Sequence, residues 1–548
     1  MKNLLIILFF LSFSALGKAQ TASQARENRP KLIVGIVVDQ MRWDFLYRYQ
    51  DRYGEGGFKR MLREGFSCEN TFINYVPSIT AVGHAAIYTG SVPSINGITG
   101  NSWIDIASGR SVYCTEDNTV ETVGSSSTAG KMSPRNLLSS TISDELKLAS
   151  NFRSKVIGVS LKDRASILPA GHAADGAFWF DEKISGFITS SYYMQELPEW
   201  VKRFNAQKKP ETLIKNGWNT LYPIDTYTNS TADNVIWEDT FAGEEKPVFP
   251  HAVDKIYKKD PGVIRTTPFG NTLTLDFAKA AIEGNNLGQG DFTDFLAINC
   301  ASTDHIGHKF GPNSIEIEDT YLRLDKDLAE FFTYLDSKIG RGEYLVFLSA
   351  DHGAAHSFDF LAANKIPGSR IDIKKLVDNL NEALSKQFNT DALVISGTNY
   401  FIHYDHKKID DAGLEFDAVK KASINFLKKM DGIQYAIDIE RIGEAPVPEP
   451  LKTMIINGYN SKRAGPVMII PEPGWFSGGK KGTSHGTWNP FDTHIPLVFM
   501  GWNITAGTSN KIYHISDIAP TISALLNIQM PNGATGRPIV EISDRIVK

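Results

Sequence analysis

Leu32-Ile33-Val34-Gly35-Ile36-Val37-Val38-Asp39 is an unbroken apolar run closed by a carboxylate. Apolarity that is continuous and does not alternate marks a strand buried on both faces, the habit of parallel sheets. The layout recurs at Lys155 to Ser160 ahead of Lys162, at Phe292 to Cys300 ahead of Asp304, and at Tyr344 to Ala350 ahead of Asp351. Helical patterns lie between these runs, over Ser139 to Ala149, Thr274 to Glu283 and Glu316 to Ile339. The alternation predicts an α/β fold, a doubly wound, mostly parallel sheet sandwiched by helices. Ligands of such sheets bind beyond the carboxyl ends of the strands. Asp39, Lys162, Asp304 and Asp351 all fall at that edge.

Outward from these runs, the 548 residues contain no Pro-, Ser- or Gly-rich linker and no block of like charge. This favours one large domain over 21–548, with insertions at about 102–152, 173–290 and 354–480 that cap or flank the carboxyl edge of the sheet. Residues 1–20 start with Lys2, run apolar from Leu4 to Leu16 and reach Ala15, Gly17 and Ala19, the layout of a secretory signal peptide. That run is shorter than the ~20 residues that span a bilayer, so an exported protein without a membrane anchor is expected, periplasmic or secreted. Loss of residues 1–19 removes Lys2 and Lys18 and takes the formal charge from −5 to −7, which argues against nucleic-acid binding. Cys68, Cys114 and Cys300 are too few for a disulfide framework; a single Cys68–Cys114 bridge and unpaired thiols both remain open.

Asp304-His305-Ile306-Gly307-His308 sets a carboxylate and an imidazole four apart, on one face of a helical turn. Asp351-His352-Gly353 offers adjacent ligands at a strand end, Asp39 closes the first strand, and His485 lies in the Gly- and Ser-rich loop Ser477 to Gly486. Nitrogen and oxygen donors without thiolate suit zinc and disfavour an iron–sulfur or blue-copper site, with manganese or iron in one position left open. Each motif alone is an ordinary helix turn or strand exit; their joint arrangement points to metal.

In Tyr75-Val76-Pro77-Ser78-Ile79-Thr80-Ala81-Val82-Gly83-His84, Pro77 and Ser78 mark a break, Thr80 opens a helix, and Gly90 closes it. A threonine there is ordinarily an N-cap. The same helix end also offers free amides and a positive dipole to an anion, which makes Thr80 a candidate nucleophile. His84, one turn later, is expected to pack or to form hydrogen bonds. His172, His305 and His356 match no ligand position and are assigned structural roles.

The set Asp39, Thr80, Asp304, His308, Asp351, His352 and His485 resembles the alkaline phosphatase superfamily in order and spacing, from about residue 30 to 540. Thr80 in place of serine, Asn101 in Gly97-Ile98-Thr99-Gly100-Asn101, and Lys162 with Arg164 in Ser160-Leu161-Lys162-Asp163-Arg164 look closest to the PafA-type periplasmic phosphomonoesterases, relatives of the nucleotide pyrophosphatase/phosphodiesterases. The resemblance implies one zinc on Asp304, His308 and His485, and a second on Asp39, Asp351, His352 and the Thr80 oxygen. It also implies a phosphoryl grip by Asn101, Lys162 and Arg164, an alkaline optimum, and a phosphothreonine intermediate. A monoester dianion has three terminal oxygens, so two cations facing the metals favour it over a diester monoanion. Small-molecule phosphate monoesters of broad range are the expected substrates, and a monomer the expected state.

Three rivals remain. A phosphodiesterase or nucleotide pyrophosphatase on the same fold would use the same metals and Thr80. A sulfatase would need a Cys-x-Pro-x-Arg segment, which the chain lacks. A non-catalytic phosphate- or metal-binding exported protein would need no activated hydroxyl.

Overall fold

The computed structural model describes residues 29–544, so the leader expected at residues 1–20 lies outside the described residues. Leu32–Val38, buried at every position, runs through the middle of an eleven-stranded sheet. From one edge the order is His494–Ile495, Phe66–Phe72, Leu497–Gly501, Tyr344–Ser349, Leu32–Val38, Asp294–Cys300, Val156–Val159, Gly176–Asp181, Gly186–Ser190 and Thr122–Val123. Gly507–His514 also pairs with Phe66–Phe72.

Parallel pairing holds from Tyr344–Ser349 across to Gly176–Asp181, the five central strands. Beyond them Leu497–Gly501 and Gly186–Ser190 turn antiparallel. Flanking strands such as Phe66–Phe72 mix Ser67, Glu69 and Asn70 with apolar residues and so lack the continuous run that announces the centre. Helices flank the sheet: Asp163–Ala170 and Phe269–Asn285 pack on its strands, and Ile315–Leu335 packs on Phe269–Asn285.

The stretches between the central strands have distinct fates. In 102–152 the hairpin Ser102–Ile104/Ser111–Tyr113 is followed by helix Ile142–Ala149, whose start is closed by reciprocal hydrogen bonds between Thr141 and Asp144. The 173–290 stretch opens with Gly176–Asp181 and Gly186–Ser190, so its first part extends the main sheet instead of capping it. Within 354–480 a separate four-stranded sheet, Val394–Ser396, Phe401–Tyr404, Val467–Pro471 and Ile433–Asp438, forms around its own apolar core, which includes Leu380, Ile402, Val419, Ile455 and Ile469. Cys68, Cys114 and Cys300 are buried and unpaired, which settles the question left open for Cys68 and Cys114 in favour of thiols.

Register delivers the site. Val38 pairs with Cys300 and Val37 with Ser349, so three strands end level and Asp39, Asp304 and Asp351 emerge together. Helix Thr80–Thr89 closes on them through Gly83, where a Cβ would stand 2.2 Å from the Asp351 carbonyl oxygen and 2.6 Å from its Cβ. Gly83→Ala is therefore expected to lower the melting temperature, since overpacking a filled interior costs about 1–3 kcal/mol. Calorimetry checks this; an unchanged Tm would mean that the helix can draw back from Asp351 freely.

Candidate metal centre

Two groups of ligand atoms, each within 4.8 Å of one another, form at the carboxyl edge: Asp304, His352 and His485, and Asp39, Asp351 and His352. His308 adjoins the first, its Nε2 3.1 Å from Asp304 Oδ1. As the spacing predicts, Asp304 and His308 share one face of helix Ser302–Phe310. His352 lies between the groups, 3.6 Å from Asp39 Oδ1 and 3.4 Å from Asp351 Oδ2, and its ring stacks on His485 at 3.4 Å.

Each imidazole is held by its other nitrogen. Nδ1 of His352 donates to the Gly353 carbonyl (2.9 Å), that of His308 to Thr483 (2.9 Å), and that of His485 to Ser78 (2.8 Å). A carbonyl only accepts, so Nδ1 carries a proton in each and Nε2 faces the cluster, as ligating histidines are held, though at His308 the adjacent Asp304 carboxylate raises the pKa despite burial. Burial keeps His352 and His485 below the usual histidine range, and the neighbouring His352 and His308 add to the effect at His485. Both are therefore neutral donors.

The carboxylates show the matching demand. Asp39 Oδ1 and Asp351 Oδ2 are buried and accept no hydrogen bond. Burial and the adjacent Asp351 push Asp39 well above the usual carboxylate range. Lys162 is the cation among them, its Nζ 2.9 Å from Asp39 Oδ2 and 2.6 Å from Asp304 Oδ2. One ammonium against three buried carboxylates leaves a negative excess that a protein interior does not tolerate unpaired. The donor set thus fits metal cations.

Thr80 is the first residue of its helix and does not cap it. The side chain of Asn101 takes that place, with Oδ1 accepting the Ala81 amide at 3.0 Å. The Thr80 hydroxyl is left directed into the cluster, 3.3 Å from His352 Nε2. Arg164 lies on helix Asp163–Ala170, which packs against the Thr80 helix, and its Nη1 donates to the Tyr113 hydroxyl at 3.1 Å.

His84 forms hydrogen bonds, as expected, but also comes nearer the centre than expected. Its Nδ1 donates to the Thr80 carbonyl at 2.9 Å and stands 3.4 Å from Asp351 Oδ2. His172 bonds the Ser139 carbonyl, and His356 bonds Asn313 and Arg42. His305 joins neither ligand group.

Sequence reasoning missed Gln40. Its amide donates to Asp351 Oδ1 at 3.2 Å and its side-chain Nε2 to Asp304 Oδ1 at 2.7 Å, so one residue spans both groups. Its φ of +63° lies in the left-handed region, costly for a side chain of this kind. Gly307 makes room for it, since a Cβ there would meet Gln40 Oε1. Asn299 was missed as well; it approaches Asp39 Oδ2 at 3.4 Å and is itself held by Ser160.

Residues 33–502 match the family described as Type I phosphodiesterase / nucleotide pyrophosphatase. The chain belongs to this family. It is 56% identical to alkaline phosphatase PafA of Elizabethkingia meningoseptica over 94% of this chain and 95% of that one. The crystal structure of wild-type PafA superposes with a TM-score of 0.93, covering 94% of this chain and 99% of that one. Alkaline phosphatase PhoV of Synechococcus elongatus is 53% identical over 94% and 93% of the two chains. A Myroides odoratus protein named calcium-transporting ATPase is 54% identical over 97% of both. Among the described residues no helix is long and apolar enough to cross a membrane.

Gln40→Ala is expected to weaken metal retention by about 10–100-fold, the usual effect of losing a partner that orients ligands. Chelator competition on the folded variant measures this; retention equal to wild type would leave Gln40 a mere filler of space.

Proposed function

We propose that this protein is an exported alkaline phosphatase that hydrolyses phosphate monoesters through Thr80. One observation carries the reading: the Thr80 hydroxyl, at the start of its helix, stands 3.3 Å from His352 Nε2, a member of both ligand groups, while Asn101 takes the neighbouring Ala81 amide. The similarity to PafA and PhoV over nearly the whole chain supports it. Asp304, His308 and His485 would hold one zinc, and Asp39, Asp351, His352 and the Thr80 oxygen a second. Zinc bound there supplies Lewis-acid stabilisation of charge on the attacking and departing oxygens.

The chain's own residues do the rest. Thr80 Oγ gives up its proton to solvent water and attacks phosphorus in line as the bond to the leaving oxygen breaks, and the departing alkoxide or phenolate takes up a proton from solvent. Water then cleaves the phosphothreonine, releasing inorganic phosphate and restoring the hydroxyl; two inversions retain configuration. Asn101, fixed by the Ala81 amide, turns its NH2 group to a phosphoryl oxygen. Arg164 would meet the dianion as a fork, and Lys162, whose ammonium bridges Asp39 and Asp304, would add a point charge beside it. A diesterase is the second reading, since the family description names that activity.

Thr80→Ala is expected to keep its zinc and lose at least about a thousandfold in turnover of an aryl phosphate. Elemental analysis and steady-state kinetics on one preparation check both; near-wild-type turnover would remove Thr80 as nucleophile. In the wild type, chelation should abolish hydrolysis and added zinc restore it, and kcat/KM should favour the monoester over its methyl diester. A strong diester preference would select the second reading.

A further inference from the structure

Asn101 and Arg164 are far apart in sequence, yet one hairpin serves both. Asn101 immediately precedes strand Ser102–Ile104, and its carbonyl accepts the Cys114 amide at 2.9 Å, closing the hairpin base. Across that base Ser102 pairs with Tyr113. The Tyr113 hydroxyl accepts from Arg164 Nη1 at 3.1 Å and donates to Asp163 Oδ1 at 2.6 Å. The hydroxyl proton is thus committed to a carboxylate, which leaves the phenol oxygen electron-rich toward the guanidinium. Asp163 Oδ1 also accepts the Arg164 amide, so the same acceptor steadies both the backbone and the side chain of Arg164.

The remaining edge of the guanidinium is what a phosphoryl group would meet. Arg164 Nε is buried and donates to no atom of the protein. With Nη1 drawn aside by Tyr113, Nε and Nη2 form a two-donor fork of the kind that binds phosphate bidentately. From behind, the hairpin is pinned to the 354–480 stretch by Asn399, whose Nδ2 donates to the Ser102 carbonyl at 2.8 Å. Gly100 permits this approach, since a Cβ there would stand 2.1 Å from Asn399 Nδ2.

We infer that Tyr113 is a positioning residue for specificity: with Asp163 it sets the Arg164 fork that distinguishes a monoester dianion from a diester monoanion. The assignment rests on Arg164 being a phosphoryl-binding residue. Tyr113 itself touches no reacting atom and acts through Arg164.

Steady-state kinetics on Tyr113→Phe with an aryl phosphate and its methyl diester test the role. The expected result is a roughly tenfold loss of kcat/KM for the monoester, the scale of one hydrogen bond to a charged group. Inorganic phosphate should weaken as an inhibitor by the same factor, with diester turnover, metal content and Tm unchanged. In an Arg164→Ala background, Tyr113→Phe should cause no further loss. Asp163→Asn, which keeps the shape but weakens the acceptor, should shift the monoester-to-diester ratio the same way. Equal losses on both esters, or an undiminished loss in the Arg164→Ala background, would overturn the role. Arg164→Ala alone separates the levels. A wild-type ratio in that variant would remove Arg164 from phosphoryl binding, whereas a ratio that collapses there but not in Tyr113→Phe or Asp163→Asn would remove only the positioning role.

Discussion

The pairing of Leu32–Val38 with Asp294–Cys300 on one side and Tyr344–Ser349 on the other is the constraint on which the rest of the site depends. Side chains alternate along a strand, so a slip of one residue in either ladder would turn that strand's side chains to the opposite face and move its terminal carboxylate out of line. The polar residues that close these apolar runs fix where each strand leaves the buried interior. The same burial places Asp39, Asp304 and Asp351 in a region of low dielectric with one lysine among them. Core packing therefore creates an electrostatic deficit at its own edge. Cations that bind the folded state relieve that deficit and stabilise the fold by mass action.

Polar groups around this edge divide the labour. Asn101 satisfies a free amide of the Thr80 helix, and the Thr80 hydroxyl meets His352 at the same edge. Backbone carbonyls at Ser78, Thr483 and Gly353 fix the imidazoles. Gln40 fixes two carboxylates at once. Most of these partners are main-chain atoms, so the precision of the site comes from loop paths more than from the identity of the loop side chains.

The central fold was legible because continuous apolar runs have few alternatives to buried parallel strands, and each ended at a chemically pointed residue. The ligand motifs were legible because adjacency and helical spacing are local. Gln40 was not, since its partners at 304 and 351 lie far along the chain and its left-handed backbone carries no glycine or asparagine to announce it. The flanking strands Phe66–Phe72 and Gly507–His514, which pair parallel with each other, were hidden by polar residues that the sheet edge accommodates. Tyr113 was overlooked for a related reason: in sequence it belongs to an unremarked hairpin, and only the fold brings it to Arg164.

The separate core within 354–480 also bears on the order of assembly. Ser78 bonds the Thr487 carbonyl, and the Ser78 carbonyl receives His485, contacts that join residues more than four hundred positions apart. Between them in sequence lies the whole of the second sheet. Loop-closure entropy makes such distant contacts slow to form. The contacts that seat the His485 imidazole are therefore among those of the chain with a high loop-closure cost. A chain cut between residues 472 and 484 would keep the five parallel central strands and lose His485, one of the imidazoles gathered at their edge.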